Sequence, residues 1–324
     1  MNNIRRKIVI VLIVATGFGA ASLAAAQGYP NKPVRLVLPY PPGGVADIMA
    51  RAYSSELSKA WQQPVVVENR PGAGTTIGAD FIAKAPADGY TIYLTNVGHS
   101  TSAALYNKLP YNAEKDFTPV SLLADVPSVL AAAPSLPVNN VKELIALAKA
   151  KPGTINFASA GIGTGSHLMG EYLKALASID IVHVPYKGTA PAFADLSSGR
   201  VSLIFEPIGT MLPHIRSGKL KALGVTTSKR SPVAPEIPAI AEAVPSFDTS
   251  TWYGILVPAG TPPDVVGKIY RELVRITESP EMKERMLAQG MQPVANSPEQ
   301  FAIFLKADVQ RWRKLVKDVG ITLE

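Results

Sequence analysis

The chain has 324 residues, 47% of them hydrophobic, and contains no cysteine. This length can bury one or two hydrophobic cores and suggests two lobes, whereas stabilisation by a disulfide framework is excluded. Lysine and arginine give a formal charge of +7 but are scattered among aspartate and glutamate. A nucleic-acid-binding protein would carry a clustered basic face with interleaved aromatic residues, so that class of function is excluded.

The first 26 residues have the pattern of a secretory signal peptide. A basic cluster at 5–7 precedes an aliphatic run over 8–15, and a small-residue cleavage site ends at Ala26. The apolar run is shorter than the roughly 20 residues that a membrane-spanning helix requires. We therefore expect cleavage near Ala26 and export to the periplasm. Loss of the three basic residues lowers the formal charge from +7 to +4, a mild field that favours small anions.

Short aliphatic strands alternate with amphipathic helices in the first part of the chain. The predicted elements are, in order, a strand over 34–38, a helix over 45–60, a strand over 65–67, a helix after Thr75, a strand over 91–95 and a proline-rich loop over 109–119. This alternation is typical of α/β folds with mostly parallel sheets flanked by helices.

The turn between the first strand and the first helix predicts an anion-binding site. A proline- and glycine-rich loop lets backbone N–H groups converge where the helix dipole is positive. The candidate ligand-binding residues of this first loop are Tyr40, Pro41, Pro42, Gly43 and Gly44. Asp47 is interpreted as a helix-start residue, because a carboxylate would repel an anionic ligand.

The middle of the chain repeats the strand, loop and helix arrangement. A helix over 141–150 comes first, with Asn140 and Glu143 spaced to form a reciprocal cap. Three strand–loop–helix units are predicted from Thr154 onwards. Further strands are predicted over 201–205 and 221–226.

Two of these units carry loops that resemble the first one in composition. The second loop contributes the candidates Ser159, Gly163, Thr164, Gly165 and Ser166, and the third contributes Pro185, Tyr186, Lys187, Gly188 and Thr189. Lys187 is the one cation in the three loop sequences, so binding is expected to depend mainly on backbone donors. Three such loops predict a ligand with negative charge.

Side chains that follow other strand ends are expected to contact the far end of the ligand. These candidates are Thr95, Asn96, Ser100, Phe205 and Glu206. Glu206 could accept a hydrogen bond from a ligand amine or hydroxyl. The alternative interpretation of Glu206 is a solvated or helix-start acid.

An exported α/β hydrolase acting on carboxylate esters is the alternative function. Such an enzyme needs an activated serine, and Ser166 beside His167 is the candidate. However, Thr164 and Leu168 occupy the positions where a nucleophile elbow needs glycine. Ordinary binding of a carboxylate by hydroxyl and N–H groups requires no activated serine, so a binding protein is favoured.

Cofactor and metal are both expected to be absent. The glycines at 161, 163 and 165 have the wrong spacing for a dinucleotide-binding loop. The four histidines do not pair at metal-ligand spacing, and no cysteine is available to assist them. His183, within an apolar strand, is interpreted as a core histidine.

The tail contains a predicted strand over 252–257 and then two amphipathic helices, the second opened by a capping box of Ser297 and Gln300. Helices with one apolar face need a surface to cover, and we expect them to cover the first lobe. The chain would then cross between lobes near 124–133 and 252–258, forming a hinge. The predicted lobes are 27–127 with 253–324, and 128–252.

Five segments carry a resemblance to a known family: 29–44, 67–74, 87–91, 183–188 and 252–254. In order and sequence they resemble the Bug family, the periplasmic solute-binding components of tripartite tricarboxylate transporters. The resemblance covers the chain from Tyr29 to about Gly320. In one departure, Ala46 stands where many members have threonine or serine, which removes a hydroxyl donor.

The resemblance implies a two-lobed periplasmic binding protein of the type II-like fold, a monomer that closes on a small carboxylate. It implies that the loop at 41–44 and the loop at 185–188 hold the carboxylate, partly through ordered waters. The implied partners are the membrane subunits of a tripartite tricarboxylate transporter. A sensor that docks on a membrane partner without feeding a transporter is a further alternative, and the identity of the carboxylate is left open.

Overall fold

Two mixed sheets organise residues 28–320, the part of the chain that the computed structural model describes. The first sheet has the strand order β11-β4-β10-β3-β1-β2 and the second β7-β6-β8-β5-β9. The first contains β1 (Val34–Leu38), β2 (Val65–Asn69), β3 (Thr91–Asn96), β4 (Phe117–Val126), β10 (Thr251–Pro258) and β11 (Gln292–Pro293). The second contains β5 (Ser128–Ala132), β6 (Asn156–Ser159), β7 (Val182–Pro185), β8 (Leu203–Pro207) and β9 (Lys221–Val225). The predicted signal peptide lies outside the described residues.

Ten α-helices flank these sheets within the described range. Six follow a strand that has a parallel partner: α1 (Val45–Trp61), α2 (Thr76–Ala83), α3 (Gly98–Leu105), α5 (Gly165–Ala177), α6 (Thr189–Ser197) and α7 (Ile208–Arg216). The others are α4 (Val141–Ala150), α8 (Pro263–Glu278), α9 (Pro280–Ala288) and α10 (Pro298–Val319). Within residues 28–320, none of the helices has the length and apolar character needed to cross a membrane.

The predicted α/β class is confirmed, but each sheet is parallel only in part. β1 pairs in parallel with β2 and β3, as β6 does with β7 and β8. In contrast, β10 is antiparallel to β3 and β4, and β5 is antiparallel to β8 and β9. The parallel strands are the ones joined by helical crossovers, which parallel pairing requires.

The chain changes sheet twice, and the two crossings are hydrogen-bonded to each other. Pro127 alone separates β4 from β5. Beside it, the N–H of Ser128 donates to Thr226 Oγ1 over 3.0 Å, and the N–H of Thr249 donates to the Thr226 carbonyl over 2.9 Å. Thr226 therefore joins the outgoing and the returning segments at one point.

Most predicted elements are confirmed, including the two amphipathic helices of the tail and the capping box of Ser297 and Gln300. Five strands and helices were not predicted: α3, α9, β5, the two-residue β11 and the long strand β4, which begins inside the predicted loop over 109–119. Helix α3 begins Gly98-His99-Ser100, a sequence of low intrinsic helix propensity, and His99 and Ser100 are fully buried. Tertiary packing, rather than local preference, stabilises this helix.

The two predicted tail helices pack on the first sheet, as expected, and the structure adds that they cover its opposite faces. Val266, Ile269 and Leu273 of α8 pack with Leu36 in one buried cluster. Phe301, Leu305 and Trp312 of α10 pack with Tyr93 and Trp252 in another. Successive side chains of a strand point to opposite faces of the sheet, so residues of this one sheet belong to both clusters. Separate clusters surround the second sheet.

We predict that Gly170→Ala destabilises the protein by about 1–3 kcal/mol, the usual cost of overpacking a core. A Cβ atom at Gly170, on α5, would lie 2.1 Å from Cε2 of the buried Phe157. The matched control is Gly267→Ala on α8, where the nearest atom is Nη1 of Arg271 at 3.5 Å. Alanine is the better helix former, so the control should be neutral or stabilising. Urea unfolding of both variants measures the difference, and equal midpoints would refute the packing of α5 on Phe157.

Candidate functional site

The helices that follow the parallel strands begin without a capping side chain. Within the described residues, α1, α2 and α3 after β1 to β3, and α5, α6 and α7 after β6 to β8, have no side-chain hydrogen bond at the N-cap. Of the other four helices, Asn140, Ser279 and Ser297 cap α4, α9 and α10, whereas α8, which follows the antiparallel strand β10, also begins without a capping side chain. The uncapped first turns thus lie at the carboxyl ends of strands, where open α/β sheets bind ligands.

The first loop is fixed by a side chain of the helix that it opens. Asp47, in the first turn of α1, accepts hydrogen bonds from the Gly43 N–H at 3.0 Å and from Asn69 Nδ2 at 3.0 Å. Asn69, at the end of β2, also donates to the Tyr40 carbonyl over 3.0 Å. One carboxylate and one amide therefore hold both ends of the loop. This agrees with the interpretation of Asp47 as a helix-start residue.

Arg51 neutralises the charge of Asp47. Its Nε and Nη2 donate to the two oxygens of Asp47 over 2.9 and 3.1 Å. These hydrogen bonds come first among the causes that lower the pKa of Asp47 to about 2, followed by those from Asn69 and Gly43. Because the folded-state pKa is depressed, the stabilisation is complete above pH 4 and is lost only as the pH falls toward 2. The loop is therefore held at all physiological pH values.

The first turn of α1 presents open backbone. Gly43 has φ +90, and a Cβ atom on Gly43 or Gly44 would meet nothing within 4 Å. Gly44 itself has φ −80 and ψ 171, an ordinary extended conformation. Pro41 and Pro42 are exposed beside them. The N–H groups that follow Gly44 have no partner four residues earlier in the helix, so they are available to an anion.

Tyr40 and Asn96 join the first loop to the end of β3. The Tyr40 hydroxyl donates to Asn96 Oδ1, which also accepts from the Gly98 N–H over 2.7 Å. Burial raises the pKa of Tyr40 well above its usual value, so the hydroxyl stays protonated. Thr95 and Ser100 are fully buried nearby, and neither hydroxyl has a hydrogen-bond partner among the described residues. These four predicted residues therefore belong to one region.

The second loop is held by its own side chains. Ser166 Oγ accepts from the Ala160 N–H over 3.0 Å, and Thr164 Oγ1 donates to the Gly161 carbonyl over 2.7 Å. Ser159 Oγ accepts from the Gly161 N–H over 3.1 Å. The N–H groups of the glycine stretch are thus largely used inside the loop. The donors left for a ligand are those of the first turn of α5, from Gly165 onwards.

The third loop is hydrogen-bonded to the second. The N–H groups of Tyr186 and Gly188 donate to the carbonyls of Ser159 and Ala160, each over 3.0 Å. Gly188 has φ +106, and a Cβ atom there would meet nothing within 4 Å. Pro185 and Lys187 are exposed. The two second-sheet loops therefore form one unit in which α5 and α6 begin side by side.

Glu206 lies beside this unit, and Phe205 does not. Thr189, at the start of α6, donates to Glu206 Oε1 over 3.0 Å. Glu206 is 8% exposed. Phe205 points to the opposite face of β8, where it is 1% exposed and packs 6.2 Å from Phe247. We therefore leave Phe205 out of the proposed site.

Ser166 lacks a base in this arrangement. Its hydroxyl contacts the Ala160 N–H and lies 3.1 Å from Thr164 Oγ1. The serine with an imidazole partner is Ser159, 2.6 Å from His183 Nε2, and Ser159 is completely buried. A buried serine cannot attack a substrate, so neither serine fits the hydrolase alternative.

Sequence reasoning missed several residues that shape the site. Asn69 follows a strand end and could have been found by the same rule that indicated Asn96. The loop after β2 was not predicted as part of the site, yet Ala73 and Thr75 have φ +43 and +83. Left-handed backbone at residues other than glycine is strained and is concentrated at functional sites. Alanine and threonine rarely adopt positive φ, so the sequence gives no indication of this left-handed conformation.

The chain is similar to a known family over most of its length. Residues 49–321 match the model described as the tripartite tricarboxylate transporter family receptor. The solved periplasmic binding protein BugD is 37% identical, with a TM-score of 0.74, over 91% of this chain and 100% of that one. Rpa4515 of R. palustris, solved with adipate, is 35% identical with a TM-score of 0.76, over 91% and 99%. MatC of Rhodopseudomonas palustris, solved with malate, is 33% identical with a TM-score of 0.73, over 89% and 100%.

We predict that Gly44→Val weakens anion binding at least tenfold and lowers the free energy of unfolding by only about 1 kcal/mol, the cost of a poor N-cap residue. The extended backbone of Gly44 accepts valine and the space around it is open, so the main loss is approach to the first turn of α1. Gly267→Val, on α8, is the control for a valine placed away from the loops. Lys187→Met should cost less than Gly44→Val. Titration calorimetry checks the order, and abolition of binding by Lys187→Met alone would contradict it.

Proposed function

This chain belongs to the tripartite tricarboxylate transporter receptor family, whose members are periplasmic solute-binding proteins, and from that premise we propose that it binds a small dicarboxylate between its two sheets. It then delivers the ligand to the membrane subunits of a transporter. The single observation that carries the choice of an anion is the set of uncapped helix starts at the strand ends of both sheets.

The choice of a dicarboxylate rests on the relatives and on the two halves of the proposed site. Rpa4515 was solved with adipate and MatC with malate, both of which carry two carboxylates. In the present chain, one set of backbone donors starts α1 and another starts α5 and α6. A ligand with a carboxylate at each end satisfies both sets at once, and no bound metal or cofactor is needed.

Closure about the paired crossings is part of the proposal. The proposed lobes are 27–127 with 253–324, and 128–252, and the hinge lies where the chain passes near 124–133 and 252–258. Closing the lobes excludes water from the ligand and strengthens its hydrogen bonds. The closed shape is what the transporter distinguishes from the empty receptor. Export through a signal peptide cleaved near Ala26 places the protein in the compartment where this occurs.

The function is tested with malate, adipate and hexanoate, the last a monocarboxylate with the same number of carbons as adipate. We expect malate or adipate to bind in titration calorimetry and hexanoate to bind at least tenfold more weakly, because one set of donors then stays unpaired. A ligand at 100 times its Kd should also stabilise the fold by about 2.7 kcal/mol.

Small-angle scattering of the same samples tests closure. Binding should reduce the radius of gyration, and an unchanged distance distribution at saturation would favour a preformed pocket. Binding of none of the three acids, combined with steady hydrolysis of activated esters that Ser166→Ala abolishes, would overturn the receptor proposal.

We predict that Glu206→Gln changes ligand preference and stabilises the protein at alkaline pH. Burial is the main cause that raises the pKa of Glu206 to about 7, with the Thr189 hydrogen bond opposing it. A carboxyl with a raised folded-state pKa binds its proton more tightly in the folded protein than in the unfolded chain. The free energy of unfolding therefore falls as the pH rises from 4.5 to 7. Glutamine avoids this loss of up to about 3 kcal/mol.

Thermal unfolding at pH 5 and pH 8 checks this prediction, with Glu236→Gln at an exposed position as the control. The stabilising effect of Glu206→Gln should be present at pH 8 and small at pH 5. An equal effect at both pH values, together with an unchanged ranking of malate, adipate and hexanoate, would remove Glu206 from the site.

A further inference from the structure

Two histidines stack directly beneath the second loop. His167 lies in the first turn of α5 and His183 on β7, with ring centroids 3.9 Å apart and ring planes 19° from parallel. The Phe157 ring stacks on His183 with centroids 4.9 Å apart. His167 is 5% exposed. The sequence offered no reason to connect these residues, which are separated by a helix and a turn.

Each imidazole is hydrogen-bonded to the loop above it. The Gly163 N–H donates to His167 Nδ1 over 3.1 Å. His183 Nε2 lies 2.6 Å from Ser159 Oγ, which in turn accepts from the Gly161 N–H. Both N–H groups belong to glycines with positive φ, +140 at Gly161 and +80 at Gly163. The two rings therefore fix the loop at both of its glycines with positive φ, directly at Gly163 and through Ser159 at Gly161.

We propose that His167 and His183 are positioning residues that hold the second loop in its ligand-binding conformation only while His167 is uncharged. The inference rests on the proposed function, because it concerns how the start of α5 is presented to the carboxylate. It adds two residues to the site that act through the loop backbone rather than by touching the ligand.

The geometry requires a particular tautomer of His167. Since Nδ1 accepts the Gly163 N–H, the single proton of the neutral ring is on Nε2. A second proton on Nδ1 would direct one donor at another and break this hydrogen bond. His183 is different, because a proton on its Nε2 can still be donated to Ser159 Oγ. The charge state of His167 therefore decides whether the loop is held.

The surrounding groups keep His167 neutral. Burial is the main cause that lowers its pKa to about 4, and His183 and Lys174 lower it further. Lys174, about two turns away on α5, pairs with Glu171 of the same helix at 3.0 Å. On β6 the neighbours are Phe157 and Ser159, which carry no charge, and on β7 the neighbour is His183, whose pKa is also lowered. The start of α5 contributes its positive dipole.

The sign of the pH effect follows from this depressed pKa. The unfolded chain takes up a proton at His167 near pH 6.5, whereas the folded protein resists protonation down to about pH 4. Stability gained from the neutral ring is therefore complete above pH 6.5 and declines as the pH falls toward 4. In the folded protein itself, His167 takes up its second proton only as the pH falls through about 4, and that protonation releases the Gly163 N–H from the imidazole.

Nitrogen-15 spectra of the imidazoles test the tautomer without any ligand. The chain has four histidines, so substitution of each one assigns the spectrum. At pH 7 we expect the His167 Nδ1 signal of an unprotonated, hydrogen-bonded acceptor and a protonated Nε2. Titration should give His167 a pKa well below that of an exposed imidazole. A proton on Nδ1, or a pKa near 6.5, would overturn the proposal.

Substitutions that keep or remove the acceptor test its effect on binding, with malate as the probe at pH 7. Asparagine places its Oδ1 where His167 has Nδ1, so His167→Asn should keep the malate Kd within about threefold. His167→Leu removes the acceptor and should raise the Kd at least tenfold. His214→Leu, on α7 against Phe193, is the control histidine and should leave the Kd unchanged. Circular dichroism of each variant confirms folding.

The outcomes separate this inference from the proposed function. Equal malate affinity of His167→Asn and His167→Leu would refute the positioning role while leaving the receptor function intact. Failure of the wild-type protein to bind malate, adipate or hexanoate would refute the proposed function instead. In that case the spectra still decide whether His167 holds the loop as a neutral acceptor.

Discussion

The N–H groups in the first turn of an α-helix have no hydrogen-bond partner within the helix. The proposed ligand binding by this chain depends on which of these groups are capped by a side chain and which are not. Three helices remote from the strand ends have side-chain caps, supplied by Asn140, Ser279 and Ser297. Six helices that follow strands with a parallel partner have none within the described residues, and α8, after the antiparallel β10, has none either. Leaving these donors free costs stability, since a cap contributes about 1 kcal/mol. In the proposed function, an anion bound at the helix starts of both sheets would offset part of this cost by accepting their hydrogen bonds.

Free donors bind an anion well only if the backbone that carries them is already in place. Asp47, Asn69 and Arg51 fix the first loop through side-chain hydrogen bonds, and the neutral imidazole of His167 fixes the second. In both loops the ordering side chain comes from the helix that the loop opens, and it accepts a hydrogen bond from a loop glycine, Gly43 or Gly163. The loops therefore lose their conformational entropy when the chain folds. Binding of a small ligand then carries a smaller entropy cost.

The sequence predicts this fold well wherever local chemistry determines the structure. Glycine and proline marked the loops, the apolar spacing of α8 and α10 marked their covered faces, and Ser297 with Gln300 marked a helix start. Helix α3 could not be predicted, because burial of His99 and Ser100 overrides their weak helix propensity. The antiparallel pairing of β10 depends on where a distant segment returns. The left-handed Ala73 and Thr75, and the tautomer of His167, likewise depend on contacts that only the folded chain provides.

The central claim is that backbone N–H groups of uncapped first turns bind the ligand carboxylates. A crystal structure of the protein with malate at saturating concentration tests it most directly. The account predicts carboxylate oxygens about 2.7–3.2 Å from backbone nitrogens after Gly44 and from those that start α5 or α6. The claim would be contradicted by malate held through lysine or arginine side chains, with the first turns of these helices facing only water.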